Sequence, residues 1–438
     1  MLLEFKTKNF KCFKEELIFS MVPAPKQKGL DYSIRKQKSG SKTYKALCSA
    51  IIYGPNASGK TNIIGAMEVF KSIILRGNIR NTQEKSIPNA ATFKLELIPN
   101  SMSNDNQPVE FSLKFIEQSL LIQYELSLDI GGFLDEKYPR SILFERLHVN
   151  EDLVFCRDQG LNFGNLNNIK NYLVNEFADN ELGAKSLAKN NLNVEELFLI
   201  NGFKAMFSAK LVNLILYWLN EKFLVIYRAN ALKLINEISE PKRDTIYIEE
   251  IMDTAAKIFG INSNAVGYLV TEDEKDPKIC SIFKNKGAVI PAEMYESYGT
   301  IRFMNIFPLV IDAIINGGTL VIDEFDASIH PMAIMNIINI FHNDEINTHG
   351  AQLVFNTHNP IFLNSNLFRR DEIKFVERDD ETHNSIHYSL SDFGTTGDKG
   401  VRKHEDYMNR YFVSQYGAIK EIDFTPILEN ILVQTEED

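Results

Sequence analysis

Gly54-Pro55-Asn56-Ala57-Ser58-Gly59-Lys60-Thr61 is the stretch on which the interpretation of the whole chain depends. It follows the apolar run Ala50-Ile51-Ile52-Tyr53 and precedes a helix-like run that begins at Asn62. Its two glycines allow the backbone to curl so that N–H groups point inward, at the positive end of a helix dipole. The pattern G-x-x-x-x-G-K-[ST] between a strand and a helix predicts a phosphate-binding loop.

This loop predicts how a nucleoside triphosphate would be held. The predicted nucleotide-binding residues are Gly54, Pro55, Asn56, Ala57, Ser58, Gly59, Lys60, Thr61 and Asn62. The Lys60 ammonium can reach the β- and γ-phosphates, and the Thr61 hydroxyl can ligate Mg²⁺. The expected cofactors are therefore ATP and Mg²⁺. The alternative for this stretch is an ordinary glycine turn.

The composition is that of a globular protein, with 438 residues, 44% hydrophobic and 24% charged. No apolar run reaches the length of a membrane span, and the start of the chain lacks the apolar core of a signal peptide. The four cysteines are far apart and form no C-x-x-C pair, which argues against a disulfide framework or a cysteine zinc site. These features predict a cytoplasmic protein with no membrane partner.

The net charge of −11 and the pI near 5.4 do not indicate a nucleic-acid-binding protein. Binding to a phosphate backbone is driven by Lys and Arg side chains that displace counterions. A local basic groove would still be compatible with this net charge, so a nucleic-acid partner stays open.

The hydrophobic period changes along the chain and divides it into four segments. Residues 1–90 contain two alternating strands, a surface excursion at 23–45 and the phosphate loop. Residues 91–160 alternate with period two, which predicts an antiparallel β lobe. Residues 161–265 show helical spacing and predict a helical insertion. Residues 266–438 return to strand–helix–strand patterns and end in a predicted amphipathic helix at 401–416.

A second chemical centre follows the apolar run Thr319-Leu320-Val321-Ile322. Asp323 is placed to bind Mg²⁺, and Glu324 can polarise a water molecule in line with the γ-phosphate. Burying two adjacent carboxylates at the end of a strand costs folding free energy unless a cation is nearby. We therefore predict that Asp323 is a metal ligand and that Glu324 and Lys60 are catalytic. The alternative is a solvated turn.

A histidine follows the next apolar run, Gln352-Leu353-Val354-Phe355. Between the two runs, Pro331 can start a helix whose apolar residues share one face, so the segment predicts a parallel strand–helix–strand unit. His358 would then lie at the same sheet edge as Glu324 and could contact the γ-phosphate. The alternative is a strand-end histidine that faces solvent. Most other histidines are predicted to be surface residues.

Four motifs in order resemble those of the ABC-type ATPases of the SMC, RecF and OLD group. These motifs are Gly54 to Thr61, Glu296-Ser297-Tyr298-Gly299-Thr300, Leu320 to Pro331 and Phe355-Asn356-Thr357-His358. They correspond to Walker A, signature, Walker B with D-loop, and switch histidine. The stretches 341–347, 370–373 and 411–418 are similar to bacterial AAA-labelled ATPases of abortive-infection (AbiL-like) phage-defence operons.

The resemblance implies a fold and a mechanism. The fold class would be α/β, a P-loop ABC-type ATPase head with an antiparallel β lobe and a helical insertion. Two chains would enclose two nucleotides, and Ser297 and Gly299 of one chain would bind the γ-phosphate held by Lys60 of the other. Hydrolysis would open this dimer or larger oligomer. The chain departs from the family pattern at Glu296, where a leucine is usual, and no Q-loop glutamine can be placed.

The biological function implied by the resemblance is that of a sensor or regulator ATPase in antiphage defence. Its partners would be a second copy of itself and a separate effector protein, a toxin or a nuclease. Two other functions stay open, a DNA-binding repair ATPase similar to RecF or SMC, and a nucleotide-gated scaffold with little turnover. A P-loop kinase is disfavoured because Ser297, Gly299 and His358 would then have no role.

Overall fold

The computed structural model describes the chain except for residues 26, 28, 82–94, 104–106, 136, 175–176, 228–244, 271–277, 396–399, 403–404, 421 and 430–438. The strands are β1 Leu2–Lys8, β2 Leu17–Ser20, β3 Ile34–Ser39, β4 Lys42–Leu47, β5 Ser49–Tyr53, β6 Val109–Glu117, β7 Leu120–Asp129, β8 Ser141–Val149, β9 Asp152–Arg157, β10 Leu161–Phe163, β11 Phe223–Ile226, β12 Thr245–Tyr247, β13 Ala265–Val270, β14 Lys278–Phe283, β15 Ala288–Pro291, β16 Thr319–Ile322, β17 Gln352–Asn356, β18 Ile373–Arg378 and β19 Ser385–Ser389. The helices are α1 Lys60–Arg76, α2 Phe177–Asn190, α3 Lys204–Met206, α4 Ala209–Tyr217, α5 Glu250–Phe259, α6 Tyr298–Asn316, α7 Pro331–His342 and α8 Tyr407–Phe412.

A six-stranded sheet carries the predicted motifs, in the order β11-β16-β17-β5-β18-β19. All neighbours are parallel except the pair β18 and β19. Along β5, Ile52 packs into one hydrophobic core, and Ile51 and Tyr53 pack into another on the opposite face. Burial on both faces explains why β5, β16 and β17 are continuous apolar runs. The predicted strand–helix–strand unit is confirmed as β16–α7–β17, with Pro331 in the first turn of α7.

A seven-stranded antiparallel sheet packs on the other side of α1, in the order β10-β9-β8-β7-β6-β1-β2. Phe70 of α1 contacts Phe5 of β1 and Phe111 of β6, with ring centroids 6.0 and 5.6 Å apart. The predicted antiparallel meander and N-terminal strands are confirmed, and both belong to this one sheet. The strand expected near Phe93 to Leu97 is not formed at 95–97, and 93–94 lie outside the described residues.

The segment 161–265 is not purely helical, which corrects the expected helical insertion. It contains β11, which pairs in parallel with β16 and so belongs to the central sheet. It also contains β12 and the start of a four-stranded antiparallel sheet, β12-β13-β14-β15. The β11 run Phe223-Leu224-Val225-Ile226 is apolar throughout, and periodicity cannot distinguish such a short run from a buried helix.

Three smaller expectations also need correction. The excursion at 23–45 contains strand β3 and most of β4, which form a hairpin. The final helix α8 is shorter than the predicted 401–416. His342 is buried rather than on the surface, and its Nε2 lies 2.8 Å from Ser49 Oγ, which donates to Glu372. Ser49 begins β5, so this polar cluster lies at the opposite end of that strand from the phosphate loop.

Helix α6 is long and markedly apolar. By length and composition it could cross a membrane, a test that buried core helices also pass. Here its Phe303, Met304 and Ile306 belong to the core on one face of the central sheet. Its N-terminus is capped by Ser297, and this places the predicted signature motif at the start of the helix.

Candidate functional site

The predicted phosphate loop connects β5 to α1 and requires glycine at two positions. A Cβ at Gly54 would lie 2.3 Å from the carbonyl oxygen of Val376, on the neighbouring strand β18. Gly59 has φ of +110°, and a Cβ there would lie 2.5 Å from Cys12 Sγ. Both distances are shorter than a van der Waals contact, so the loop takes this path only with glycine.

Lys60, the first residue of α1, supplies a buried cation inside the loop. Its Nζ donates to the carbonyl oxygens of Gly54 and Pro55 at 2.7 and 2.9 Å. Burial lowers the pKa of Lys60 to about 8, although the negative charges of Asp323 and Glu324 oppose this shift. An anion bound beside Lys60 would stabilise its charged form.

Ser58 provides an independent indication of an anion site. Its Oγ is buried and has no hydrogen-bond partner, and it lies 2.6 Å from where a Gly54 Cβ would be. Buried hydroxyls nearly always have a partner, so this one is available to a ligand inside the loop. Together with the Lys60 ammonium, it fits a phosphate.

The two residues predicted to bind metal lie next to each other. Thr61 Oγ1 donates to Asp323 Oδ1 at 3.0 Å, although the two residues are 262 positions apart in the chain. Asp323 directly follows β16, and its carboxylate is buried. A hydroxyl and a carboxylate oxygen are hard ligands of the kind that Mg²⁺ prefers, so this pair fits a divalent cation.

Glu324 lies in the turn that follows β16, and its side chain is exposed. Its backbone is left-handed, with φ of +48°. Its N–H donates to Asn356 Oδ1, and its carbonyl oxygen accepts from Arg302 Nη2. A left-handed non-glycine residue persists only where the surroundings hold it.

His358 follows β17, one strand over from Glu324. Its side chain is exposed to solvent, as expected for a residue just after a strand end. Partial desolvation still lowers its pKa, and the positive charge of Lys60 lowers it further, while Glu324 partly opposes the shift. This shift favours the neutral imidazole, which can donate one hydrogen bond. The electrostatic interactions also show that His358 lies near Lys60 and Glu324.

The predicted signature residues lie at the start of α6. Ser297 Oγ accepts from the N–H of Thr300 at 3.1 Å and caps the helix. Gly299 packs against the turn after β16, since a Cβ there would lie 2.2 Å from the carbonyl oxygen of Ser328. The structure thus brings Lys60, Thr61, Asp323, Glu324 and His358 together. Gly299 contacts the far end of the same turn instead, at Ser328, and Ser297 caps the helix beside it.

Glu296, the departure from the family pattern, anchors the start of α6. Its carboxylate accepts from the N–H groups of Asn262 and Ser263 and from the hydroxyls of Ser263 and Ser281. Burial opposes ionisation, but these hydrogen bonds lower the pKa of Glu296 below its usual value. Glu296 therefore fixes the start of α6 by hydrogen bonds, at a position where the leucine of the family pattern would do so by apolar packing.

A cleft of about 1060 Å³ lies between α5, α6 and α7, beside Ser297 and Gly299. Its rim carries exposed apolar side chains, among them Ile258 and Met332, and Tyr298 next to the signature serine is also exposed. Exposed apolar surface around a polar motif is typical of an interaction site.

The sequence interpretation missed two polar residues of the site, Asn356 and Arg302. Asn356 ends β17, and its Nδ2 donates to Asp323 Oδ1 while its Oδ1 accepts from Glu324 N–H. One amide therefore fixes both carboxylate residues relative to each other. The only signal in the sequence was a polar residue at the end of an apolar run.

Replacing Asn356 with Ala is expected to weaken the binding of a divalent cation at Thr61 and Asp323 about 10-fold or more. The reason is that a group that hydrogen-bonds to a metal ligand typically contributes about 10- to 100-fold to the affinity for the metal. The measurement is a Mg²⁺ titration at saturating ATP. Asn359→Ala is the control, because Asn359 caps the turn Pro360–Phe362. Equal Mg²⁺ dependence in the two variants would contradict the assignment.

Three comparisons with known proteins bear on this geometry. Residues 49–364 match the family model described as “AAA domain, putative AbiEii toxin, Type IV TA system”. Among curated proteins, no sequence matches. Similar solved structures include the SMC head domain from Thermotoga maritima, at 13% identity and a TM-score of 0.34, covering 89% of this chain and 98% of that one.

Two further solved structures are SMC heads crystallised with ScpA. One is the SmcHead bound to the C-winged helix domain of ScpA, at 12% identity and a TM-score of 0.37, covering 89% of this chain and 99% of that one. The other is a Pyrococcus furiosus Smc head with an extended coiled coil, bound to the C-terminal domain of ScpA. It has 13% identity and a TM-score of 0.37, covering 89% of this chain and 96% of that one.

Proposed function

The chain belongs to the family described as “AAA domain, putative AbiEii toxin, Type IV TA system”, and on that premise we propose that it hydrolyses ATP with Mg²⁺. The observation that carries the proposal is the contact between Thr61 of the phosphate loop and Asp323 at the end of β16. It joins a phosphate-binding cation, a pair of metal ligands and an exposed carboxylate at one sheet edge. This combination is what phosphoryl transfer to water requires.

The roles of the residues follow from their positions. The loop N–H groups, Ser58 Oγ and the Lys60 ammonium hold the phosphates, while Thr61 and Asp323 hold the metal. Bound Mg²⁺ would neutralise charge on the phosphate oxygens. Glu324 accepts a proton from the attacking water, and neutral His358 donates a hydrogen bond near the γ-phosphate.

We propose further that two copies of the chain share each nucleotide. Ser297 and Gly299 do not contact the phosphate loop of their own chain, and they sit beside an exposed apolar surface. A second copy that covered this surface could receive the γ-phosphate at the N-terminus of α6, where backbone N–H groups favour an anion. ATP binding would close the dimer, and hydrolysis would open it.

The biological function we propose is a cytoplasmic sensor or regulator in antiphage defence, acting on a separate toxin or nuclease. The support is the family description, which names a putative AbiEii toxin of a type IV TA system. This step rests on family likeness and not on the geometry of the site.

The test is ATP hydrolysis and ATP-dependent self-association of the purified chain. We expect phosphate release that requires Mg²⁺, and a dimer or larger oligomer in sedimentation experiments with ATP but not with ADP. Lys60→Ala should weaken ATP binding about 100-fold, because it removes charge-assisted hydrogen bonds worth about 3 kcal/mol. Lys11→Ala is the matched control, since Lys11 pairs with Glu96 instead. Equal ATP affinity in both variants would overturn the assignment of the loop.

A further inference from the structure

We propose that Arg302 is a positioning residue that couples the signature segment, Ser297 to Gly299, to Glu324 of the same chain. The proposal rests on the proposed ATP hydrolysis between two copies. It adds a route by which a nucleotide bound at one site sets the geometry of the carboxylate that serves the other site.

The first step is the contact between α6 and the turn after β16. Arg302 lies on the second turn of α6 and is 5% exposed. Its Nη2 donates to the carbonyl oxygen of Glu324. Its positive charge also acts on Asp326 in the same turn, where it opposes the rise in pKa that burial causes. A guanidinium from the signature helix is therefore built into the turn that carries the catalytic carboxylate.

The second step is the backbone of Glu324. Its φ of +48° is sparsely populated by non-glycine residues, so the surroundings must hold it. Asn356 holds the N–H of this residue, and Arg302 holds its carbonyl oxygen. These two hydrogen bonds fix the peptide groups on either side of the Cα atom, and hence the direction of the side chain. Asn356 belongs to β17 and Arg302 to α6, so the two partners hold Glu324 from different elements.

The third step is a second contact between α6 and the same turn. Gly299 lies so close to Ser328 that a Cβ would come within 2.2 Å of its carbonyl oxygen. Ser328 is also left-handed, with φ of +63°. The start of α6 and the turn 323–328 are therefore in contact at both ends of the turn. A shift of α6 when a phosphate binds at Ser297 would reach Glu324 through Arg302.

The consequence is coupling between the two nucleotide sites. Each chain would contact one nucleotide through Ser297 and hydrolyse the other through Glu324. Filling one site would then improve the alignment of the carboxylate at the second site. We expect positive cooperativity in ATP hydrolysis, with a Hill coefficient above 1 in the wild-type protein.

The test is Arg302→Ala, with steady-state hydrolysis measured over a range of ATP concentrations. We expect kcat to fall about 10- to 100-fold, as for loss of a group that orients a reacting residue. KM and ATP-dependent association should change less than about 2-fold, because the phosphate contacts remain. The Hill coefficient should fall toward the value that ATP-dependent association alone produces. Added guanidinium ion at millimolar concentration should restore part of kcat.

The control is Arg157→Ala, because Arg157 is equally buried, at 5%, and pairs with Glu145 in the antiparallel sheet. This variant should lose thermal stability but keep kcat per folded molecule and cooperativity. Equal kcat losses in the two variants, or no recovery with guanidinium, would overturn the proposal. A wild-type Hill coefficient of 1 would overturn the coupling and leave the proposed hydrolysis standing. A wild-type protein that hydrolyses no ATP would overturn both.

Discussion

Replacing Glu324 with Gln is expected to lower kcat for ATP hydrolysis about 100- to 10,000-fold, the usual contribution of a general base. ATP binding should stay near the wild-type level, because Lys60, Ser58 and the loop N–H groups are unchanged. Glutamine keeps the shape and the backbone hydrogen bonds of the turn but cannot accept the proton. The variant should therefore hold ATP and accumulate in the associated form.

The measurement combines phosphate release with nucleotide retention after gel filtration. Glu345→Gln is a matched control, since Glu345 is exposed just after α7, at the end of that helix remote from the turn 323–328. Asp323→Asn separates the roles of the adjacent carboxylates. It should weaken Mg²⁺ binding as well as lower kcat, whereas Glu324→Gln should lower kcat alone. Unchanged phosphate release from Glu324→Gln would remove the catalytic assignment and favour a scaffold that binds nucleotide with little turnover.

Mixing two inactive variants is expected to restore activity if each nucleotide lies between two chains. Lys60→Ala removes the phosphate cation, and Ser297→Asp places a negative charge where the γ-phosphate would approach. Aspartate is as good a helix cap as serine, so the start of α6 should stay folded. A mixed dimer has one fully wild-type site, made by Lys60 of one chain and Ser297 of the other.

The mixture should reach up to about a quarter of the wild-type rate for independent sites, because half of the dimers are mixed and each has one intact site. Coupling through Arg302 would lower this fraction, so association is measured as well. Differently tagged chains of the two variants should be captured together only with ATP. Ser297→Asn keeps the cap without the charge, so comparing it with Ser297→Asp separates the effect of the added charge from the loss of the hydroxyl. Failure of ATP to bring the tagged chains together would exclude the shared site.

The residues of the site that could be predicted from sequence are those that belong to short contiguous motifs. The phosphate loop has fixed spacing between a strand and a helix, and Asp323 and Glu324 directly follow an apolar run. Asn356 and Arg302 could not be predicted, because they act across 32 and 22 positions on backbone atoms of Glu324. Every residue has a backbone carbonyl, and every residue except proline has an N–H, so the residue type at position 324 does not indicate that a side chain binds its backbone.

The fold shows the same division. The runs that became β5, β16 and β17 were predicted because each is followed by a chemical motif and buried on both faces. The hairpin of β3 and β4 was missed because half of its strand residues are Lys, Ser or Thr, so the apolar residues do not alternate clearly. The pairing of β1 with β6 depends on contacts that no local pattern determines.

The position of β11 limits how this protein can be divided or recombined. A strand from the middle of the chain forms the edge of the central sheet, in register with β16, the strand that directly precedes Asp323. Deleting the whole of 161–265 would therefore expose the backbone of β16 and loosen the position of Asp323. A deletion that retained Phe223–Ile226 would keep this edge of the central sheet covered.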